Sequence, residues 1–265
     1  MDPFRFNCFT RARFVTRLPQ AGLIIGLAAW SLQAHGENDN LFYAPPAAKE
    51  DSPSFSGQAE LGYTSLSGNS NSETLLAKGR ATWFRGPWTH TLRAETKRVE
   101  DNDEVSTEQY LLGLRERYSF KGPHYTFGLA RGEKDRFSGF DNQFTTILGY
   151  GRQLLDGPTH WLSVEGGPGY RRDDYEAGGH EDLAVGYLAT DYQLSISDNS
   201  RFVQQFSVEA TQNEVTTRSY SAISVALTSQ LALKFSHEIR SNSNPPDEAA
   251  ANTDRTTAAS ILYNF

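Results

Sequence analysis

From Phe55 to its last residue, the chain alternates with a period of two. In FSGQAELGYT, Phe55, Ala59, Leu61 and Tyr63 share one face, and Ser56, Gln58, Glu60 and Thr64 the other. In TLLAKGRATWF, Leu75, Ala77, Ala81 and Trp83 oppose Thr74, Lys78, Arg80 and Thr82. In WTHTLRAETK, Trp88, Leu92 and Ala94 oppose Thr89, Thr91, Arg93, Glu95 and Lys97. Successive side chains of a strand point to opposite faces, whereas a helix gathers its charges every three or four residues. The pattern therefore predicts β-structure with one apolar and one charged face.

Further segments of this kind are expected over Glu108–Phe120, Tyr125–Glu133, Gln143–Leu154, Trp161–Arg171 and Leu183–Leu194. Others follow over Arg201–Ala210, Tyr220–Leu227, Leu231–Arg240 and Arg255–Phe265. The total is about twelve strands, an even number, as in single-chain bacterial outer-membrane barrels. The connections alternate too. Tight turns at RGPW, KGPH, DGPTH, SDNS and TSQ are separated by polar loops at SGNSNS, EDNDEVS, KDRFSGFDN, RDDYEAGGHE, TQNEVTT and SNSNPPDEAAANTD. Tight turns at one end and longer loops at the other are the asymmetry of a transmembrane antiparallel up-and-down β-barrel, and a soluble sandwich has no reason to show it. The fold class expected is all-β. At 38% hydrophobic residues the chain is too polar for helical spans, which need roughly 20 consecutive apolar residues.

The chain ends on SILYNF, with Ile261, Tyr263 and Phe265 on one face. An open sheet edge in hydrocarbon leaves backbone groups unpaired, so the last strand must join the first. Tyr263 and the terminal Phe265 also match the assembly signal of outer-membrane proteins.

The amino terminus reads differently. Arg11, Arg13 and Arg17 precede the apolar AGLIIGLAAWSL, and Ala34-His35-Gly36 has the small-x-small form of a cleavage site. Residues 1–36 are therefore expected to be a secretory signal peptide. Residues 37–54, rich in Pro and Ala, read as a flexible periplasmic leader, and 55–265 as the barrel. Cleavage would remove Cys8, the one cysteine, so the mature chain would have neither disulfides nor thiolate metal ligands. It would also remove Arg5, Arg11, Arg13, Arg17 and Asp2, leaving a chain still more acidic than the formal −7 of the whole. Nucleic acid is an improbable partner for such a chain. The partners expected are outer-membrane lipid, lipopolysaccharide and the outer-membrane assembly machinery.

Four stretches carry a family resemblance: GQAELGYTSLSGNSNSETLLAKGRATW, EKDRFSGFDNQFTTILGYGRQLL, SVEGGPGYRRDD and HEIRSNSNPPDEAAANTDRTTAASILYNF. The chain resembles, from about Gly57 to its end, the uncharacterised YdiY-like family labelled salt-induced outer membrane protein. The resemblance implies a barrel in a Gram-negative outer membrane and a link to salt or osmotic stress. It brings no activity, substrate or catalytic residue. Glu116 departs from the family, facing outward where an aromatic is usual; either the register shifts there or Glu116 lies near an interface.

No constellation selects a chemistry. His90 and His237 fall on outward faces, where a lipid-facing Ser–His pair would suit a phospholipase, but no nucleophile is marked. His124 and His160 fall in tight turns. His180 sits with Asp173, Asp174, Glu181 and Asp182 in a polar loop, a setting for acid–base chemistry but more often solvated charge. The EDNDE loop lacks the spacing of a calcium motif. No catalytic residue, metal site or cofactor is expected, and the chain is read as non-enzymatic.

The inward face is more informative. Parity places Lys78, Arg80, Arg93, Lys97, Arg115, Arg117, Arg171, Lys234 and Arg240 in the lumen, against Glu60, Glu95, Glu165, Glu209 and Glu238. Bases outnumber acids in this set. Either the charges pair and plug the interior, or they line a narrow path that favours anions. The expected function is accordingly a structural barrel or a narrow, anion-preferring channel. The alternatives are a lipid- or peptide-processing barrel enzyme and a soluble periplasmic binding barrel.

Overall fold

The structure, a computed structural model, describes residues 45–46, 54–66, 72–102, 104–246 and 252–265. The expected signal peptide and nearly all of the expected leader lie outside the described residues. Twelve strands follow in order: β1 (Phe55–Leu66), β2 (Ser72–Arg85), β3 (Trp88–Asp101), β4 (Glu104–Ser119), β5 (His124–Asp135) and β6 (Phe140–Asp156). Then come β7 (His160–Tyr175), β8 (His180–Ser197), β9 (Ser200–Ala210), β10 (Val215–Ala226), β11 (Leu231–Asn242) and β12 (Thr253–Asn264). Each pairs antiparallel with its sequence neighbour, and β1 pairs with β12 to close the barrel.

The barrel is inside out relative to a soluble protein. Leu61, Leu112, Leu148, Leu188, Phe235 and Ile261 point outward and stay exposed, while Arg115, Arg131, Glu60, Glu209 and Asp173 point inward and are buried. A closed sheet satisfies its backbone internally, so such a wall suits hydrocarbon outside and polar groups within. We call the end that carries both barrel termini the terminal end, and the opposite one the loop end. Aromatic side chains ring the terminal end: Phe55 against Trp83 and Phe265, Trp88 against Tyr118, and Tyr118 against Phe120.

The seam depends on the last residue. Phe265 and Gly57 exchange both backbone hydrogen bonds at 2.9 Å. The Phe265 ring lies over Gly57, where an added Cβ would meet it at 2.2 Å. Gly57 thus provides the space in which the chain end is clamped.

The strands run farther toward the loop end than the alternation suggests. β4 begins at Glu104 rather than Glu108, β7 continues to Tyr175, and β10 begins at Val215. The expected EDNDEVS loop is a tight hairpin in which Asn102, with a φ of 51°, supplies the left-handed turn residue. The strict short–long alternation of connections is therefore corrected. Much of the polar sequence at the loop end is strand, because a hairpin that projects into water has no apolar face to keep and still pairs its backbone.

Two strands break the simple polarity. On β5, Tyr125, Phe127 and Leu129 point inward with Arg131, leaving Thr126, Gly128, Ala130 and Gly132 outside. On β8, Leu183, Val185, Tyr187 and Ala189 do the same. Of these, Tyr125, Phe127, Leu129, Tyr187 and Ala189 form an apolar cluster with Ile147 inside the barrel. Gly149 and Gly151 on β6 make the room, since an added Cβ would lie 2.5 Å from the Phe127 ring and 2.1 Å from the Tyr125 ring.

Candidate functional site: the lumen

The lumen is packed with charge, and most of that charge is paired. At mid-height Arg131 on β5 makes two hydrogen bonds to Glu209 on β9, at 2.8 and 2.9 Å. Arg218 on β10 shares one nitrogen, Nη2, between both oxygens of Glu133 on β5, at 2.8 and 3.0 Å. Arg131 Nε lies 3.1 Å from Glu133, which joins the two pairs into one layer. Because β5 is far from β9 and β10 around the sheet, this layer reaches from wall to wall. The planar guanidinium fork of Arg131 gives its pair with Glu209 both strength and fixed geometry.

Below it, toward the terminal end, Glu165 accepts from Arg115 (2.5 Å), Tyr125 Oη (2.9 Å) and Tyr187 Oη (2.9 Å). Arg117 lies 3.8 Å over the Tyr125 ring, and Arg115 4.5 Å over Phe127. Lys234 pairs with Glu60, and Arg80 donates to Gln58 at 3.3 Å. Toward the loop end, Arg171 pairs with Asp173 and Glu214, and Gln143 bridges to Asp173 at 3.0 Å. An ion is costly to bury unless a partner and further hydrogen bonds replace its water. These networks supply the partners, while Glu60 Oε1 accepts no hydrogen bond and Arg115 Nε and Nη1 donate none among the described residues.

A vestibule remains beside the cross-lumen layer, and Glu133 and Arg218 of that layer line it. A cavity of about 60 Å³ lies among Lys78, Arg93, Glu95, Lys97, Glu238, Arg240 and Asp254. A second, of about 50 Å³, shares Asp135, Arg240 and Asp254 with it. Arg93 donates to Glu95 at 2.8 Å, Lys78 lies 3.6 Å from the same carboxylate, and Arg240 lies 3.6 Å from Asp135. Both spaces suit water, small ions or one small polar group rather than a sugar-sized or larger solute. At the loop-end rim, Tyr175 donates to Glu181 at 3.0 Å, and burial together with that carboxylate pushes its phenol up to about 12.

All the lumen residues named from parity point inward. The structure adds Arg131, Arg218 and Arg201 to the bases, and Glu133, Asp135, Asp173, Asp191, Glu214 and Asp254 to the acids. The expected excess of bases is corrected to near balance. Arg131, Glu133 and Asp135 lie on β5, where apolar and charged side chains share a face, and Asp173, Glu214, Arg218 and Asp254 lie on or beside the loop-end extensions, where the alternation fades. Asp191 and Arg201 fall inside expected segments, on β8 and β9.

Among the described residues, the histidines do not assemble a catalytic group. His180 is exposed, while Asp173 turns into the barrel against Arg171. His90 bonds Glu116, its partner in register, beside Trp88 and Tyr118, so no slip occurs and Glu116 lies in the aromatic belt. His124 and His160 begin strands rather than sit in turns, and bond Tyr150 and Tyr192. His237 bonds Thr257 Oγ1 at 2.8 Å, while Ser221 beside it donates to Gln204 at 2.5 Å.

Comparison with known proteins accords with this picture. Residues 59–265 match the family described as "Protein of unknown function, DUF481". The chain belongs to this family. It is 33% identical over 256 residues to the uncharacterized protein YdiY of Escherichia coli (strain K12), covering 96% of this chain and all of that protein. Among solved structures, an outer-membrane channel from Pseudomonas putida F1 aligns with a TM-score of 0.53 and 10% identity, over 86% of this chain and all of that one. The NanC porin aligns with a TM-score of 0.52 and 7% identity, over 78% and 98%. At such identities the likeness is one of fold: an outer-membrane-type barrel.

Proposed function

We propose that this member of the YdiY-like family is an integral, non-enzymatic outer-membrane barrel that adds wall to the envelope without adding an open pore. The supporting observation is the layer Arg131–Glu209 and Arg218–Glu133, which joins opposite walls by one forked and one shared-donor ion pair. The tight turns and both barrel termini face the periplasm, the loop end faces outward, and the apolar wall meets lipid and lipopolysaccharide. Residues 1–36 direct export, and Tyr263 and Phe265 present the closing strand to the assembly machinery.

Any conduction is small, passing water or single ions through the vestibule. The anion preference expected from the lysines and arginines has lost its basis, because the added carboxylates balance the field and pair with it. The salt-stress link implied by the resemblance fits a barrel of this kind, since a cell under osmotic load gains nothing from a leak. Planar-bilayer recording of the refolded protein tests the reading. Small or absent steps with weak ion selectivity are expected, and large porin-like steps would overturn it. Arg131→Ala together with Arg218→Ala opens the layer and is expected to raise the conductance at least several-fold.

A further inference from the structure

The barrel wall is not closed to its full height. The β1–β12 ladder starts at Gly57–Phe265 and ends at Gly62–Ser260. Beyond that pair, among the described residues, Tyr63–Leu66 of β1 pairs only with β2, and Thr253–Ala259 of β12 only with β11. The outer half of the seam is thus a notch between two strand edges. Each edge carries backbone donors and acceptors that lipid tails cannot satisfy. Tyr63 and Leu61 face outward just at its base, with Arg255 and Thr257 above on β12, so the notch opens where apolar wall gives way to polar.

Its inner mouth holds a lysine. In register, Lys97 on β3 stands level with Leu76, Gly62 and Ser260, the row at which the ladder stops. Lys97 is 8% exposed, and its ammonium reaches past β2 and β1 to donate to a hydroxyl, Thr256 Oγ1 on β12, at 3.0 Å. Thr64, also at the notch, has a buried hydroxyl with no hydrogen-bond partner among the described residues. Asp254 and Glu95 line the same cavity, so the mouth carries both signs.

We infer that this notch binds the headgroup of a zwitterionic, phosphate-bearing amphiphile from the surrounding membrane. The phosphate meets Lys97 and Thr256, the ammonium meets Asp254, and the acyl chain stays in the lipid outside β1 and β12. An amphiphile suits the site because the opening is lateral: the head reaches the vestibule without the chain leaving hydrocarbon. The inference rests on the proposed membrane location, but requires no conduction.

The test is native mass spectrometry of the full-length protein, extracted in dodecyl maltoside and offered lysophosphatidylethanolamine. One retained copy is expected, with glycerophosphoethanolamine, the same head without a chain, retained at least tenfold less. Lys97→Gln is expected to lower retention at least tenfold, and Lys121→Gln, exposed at the other end, to leave it unchanged. Thr64→Cys with Ala258→Cys, which would face each other if the ladder continued, is expected to abolish retention once oxidised and restore it once reduced. Equal retention by Lys97→Gln, by the oxidised pair, or of the chainless head would overturn the inference, as would no retention at all. Heat-modifiable gel migration of each sample separates these outcomes from failure of the barrel reading, in which that migration would be missing.

Discussion

Arg131 and Glu209 meet across the lumen through two parallel hydrogen bonds, Nη1 to Oε1 at 2.8 Å and Nη2 to Oε2 at 2.9 Å, both side chains almost wholly buried. Removing one partner of such a pair strands the other charge, at a cost of about 3–5 kcal/mol, whereas replacing both with apolar groups is often neutral. Glu209→Gln is therefore expected to lower unfolding stability in urea by about 3 kcal/mol, and Arg131→Met with Glu209→Met to recover most of it. Equal losses in the single and double variants would show that the pair does not act as a unit.

The inward aromatic cluster depends on two missing side chains. A Cβ at Gly151 would stand 2.1 Å from the Tyr125 ring. Gly151→Ala is expected to destabilise by about 1–3 kcal/mol through overpacking. Adding Tyr125→Ala should relieve that clash, so the second substitution costs less in the Gly151→Ala background than alone. Denaturant midpoints of the four proteins measure this coupling.

Glu165 gathers three donors, Arg115, Tyr125 and Tyr187. Tyr187→Phe removes one hydrogen bond to a charged acceptor and keeps the ring, which implies a loss of about 1.5–3 kcal/mol. The same substitution at Tyr192, whose hydroxyl meets His160 on the exposed face, should cost less. Equilibrium unfolding of the two variants compares them directly.

Closure of the barrel is expected to fail at its clamp. Gly57→Val drives a side chain into the Phe265 ring, and deletion of Phe265 removes the paired backbone bonds to Gly57. Both changes should slow the appearance of the heat-modifiable form during refolding into detergent, while Lys121→Gln, at an exposed turn, should refold at the unaltered rate.

The cross-lumen layer should also resist salt. Screening acts strongly on exposed pairs such as Arg136–Glu108 and weakly on buried ones. Raising ionic strength from about 0.1 to 1 M, where the Debye length falls from about 10 to 3 Å, should leave conductance per unit bulk conductivity nearly unchanged. A sharp rise would mean that the layer opens as its charges are screened.

The alternation alone was enough for the fold class, the strand number, and the inward placement of residues such as Glu60, Arg93 and Lys234. A period of two assigns each side chain a face, and where one face is plainly apolar the other must be the lumen. The terminal SILYNF also marked the closing strand, because an edge in lipid has to be paired.

Only the tertiary structure decided the face of β5. Tyr125, Phe127, Leu129, Arg131 and Glu133 share one side, and the other carries Thr126, Gly128, Ala130 and Gly132, so a local pattern gives no polarity. The choice was made across the barrel, where Gly149 and Gly151 left space for the rings and Glu209 and Arg218 waited for Arg131 and Glu133. Those partners are separated from β5 by long stretches of sequence. Face is a property of a strand; whether a charge plugs the lumen or lines a path is a property of what stands opposite it, and closure of the sheet alone sets that distance.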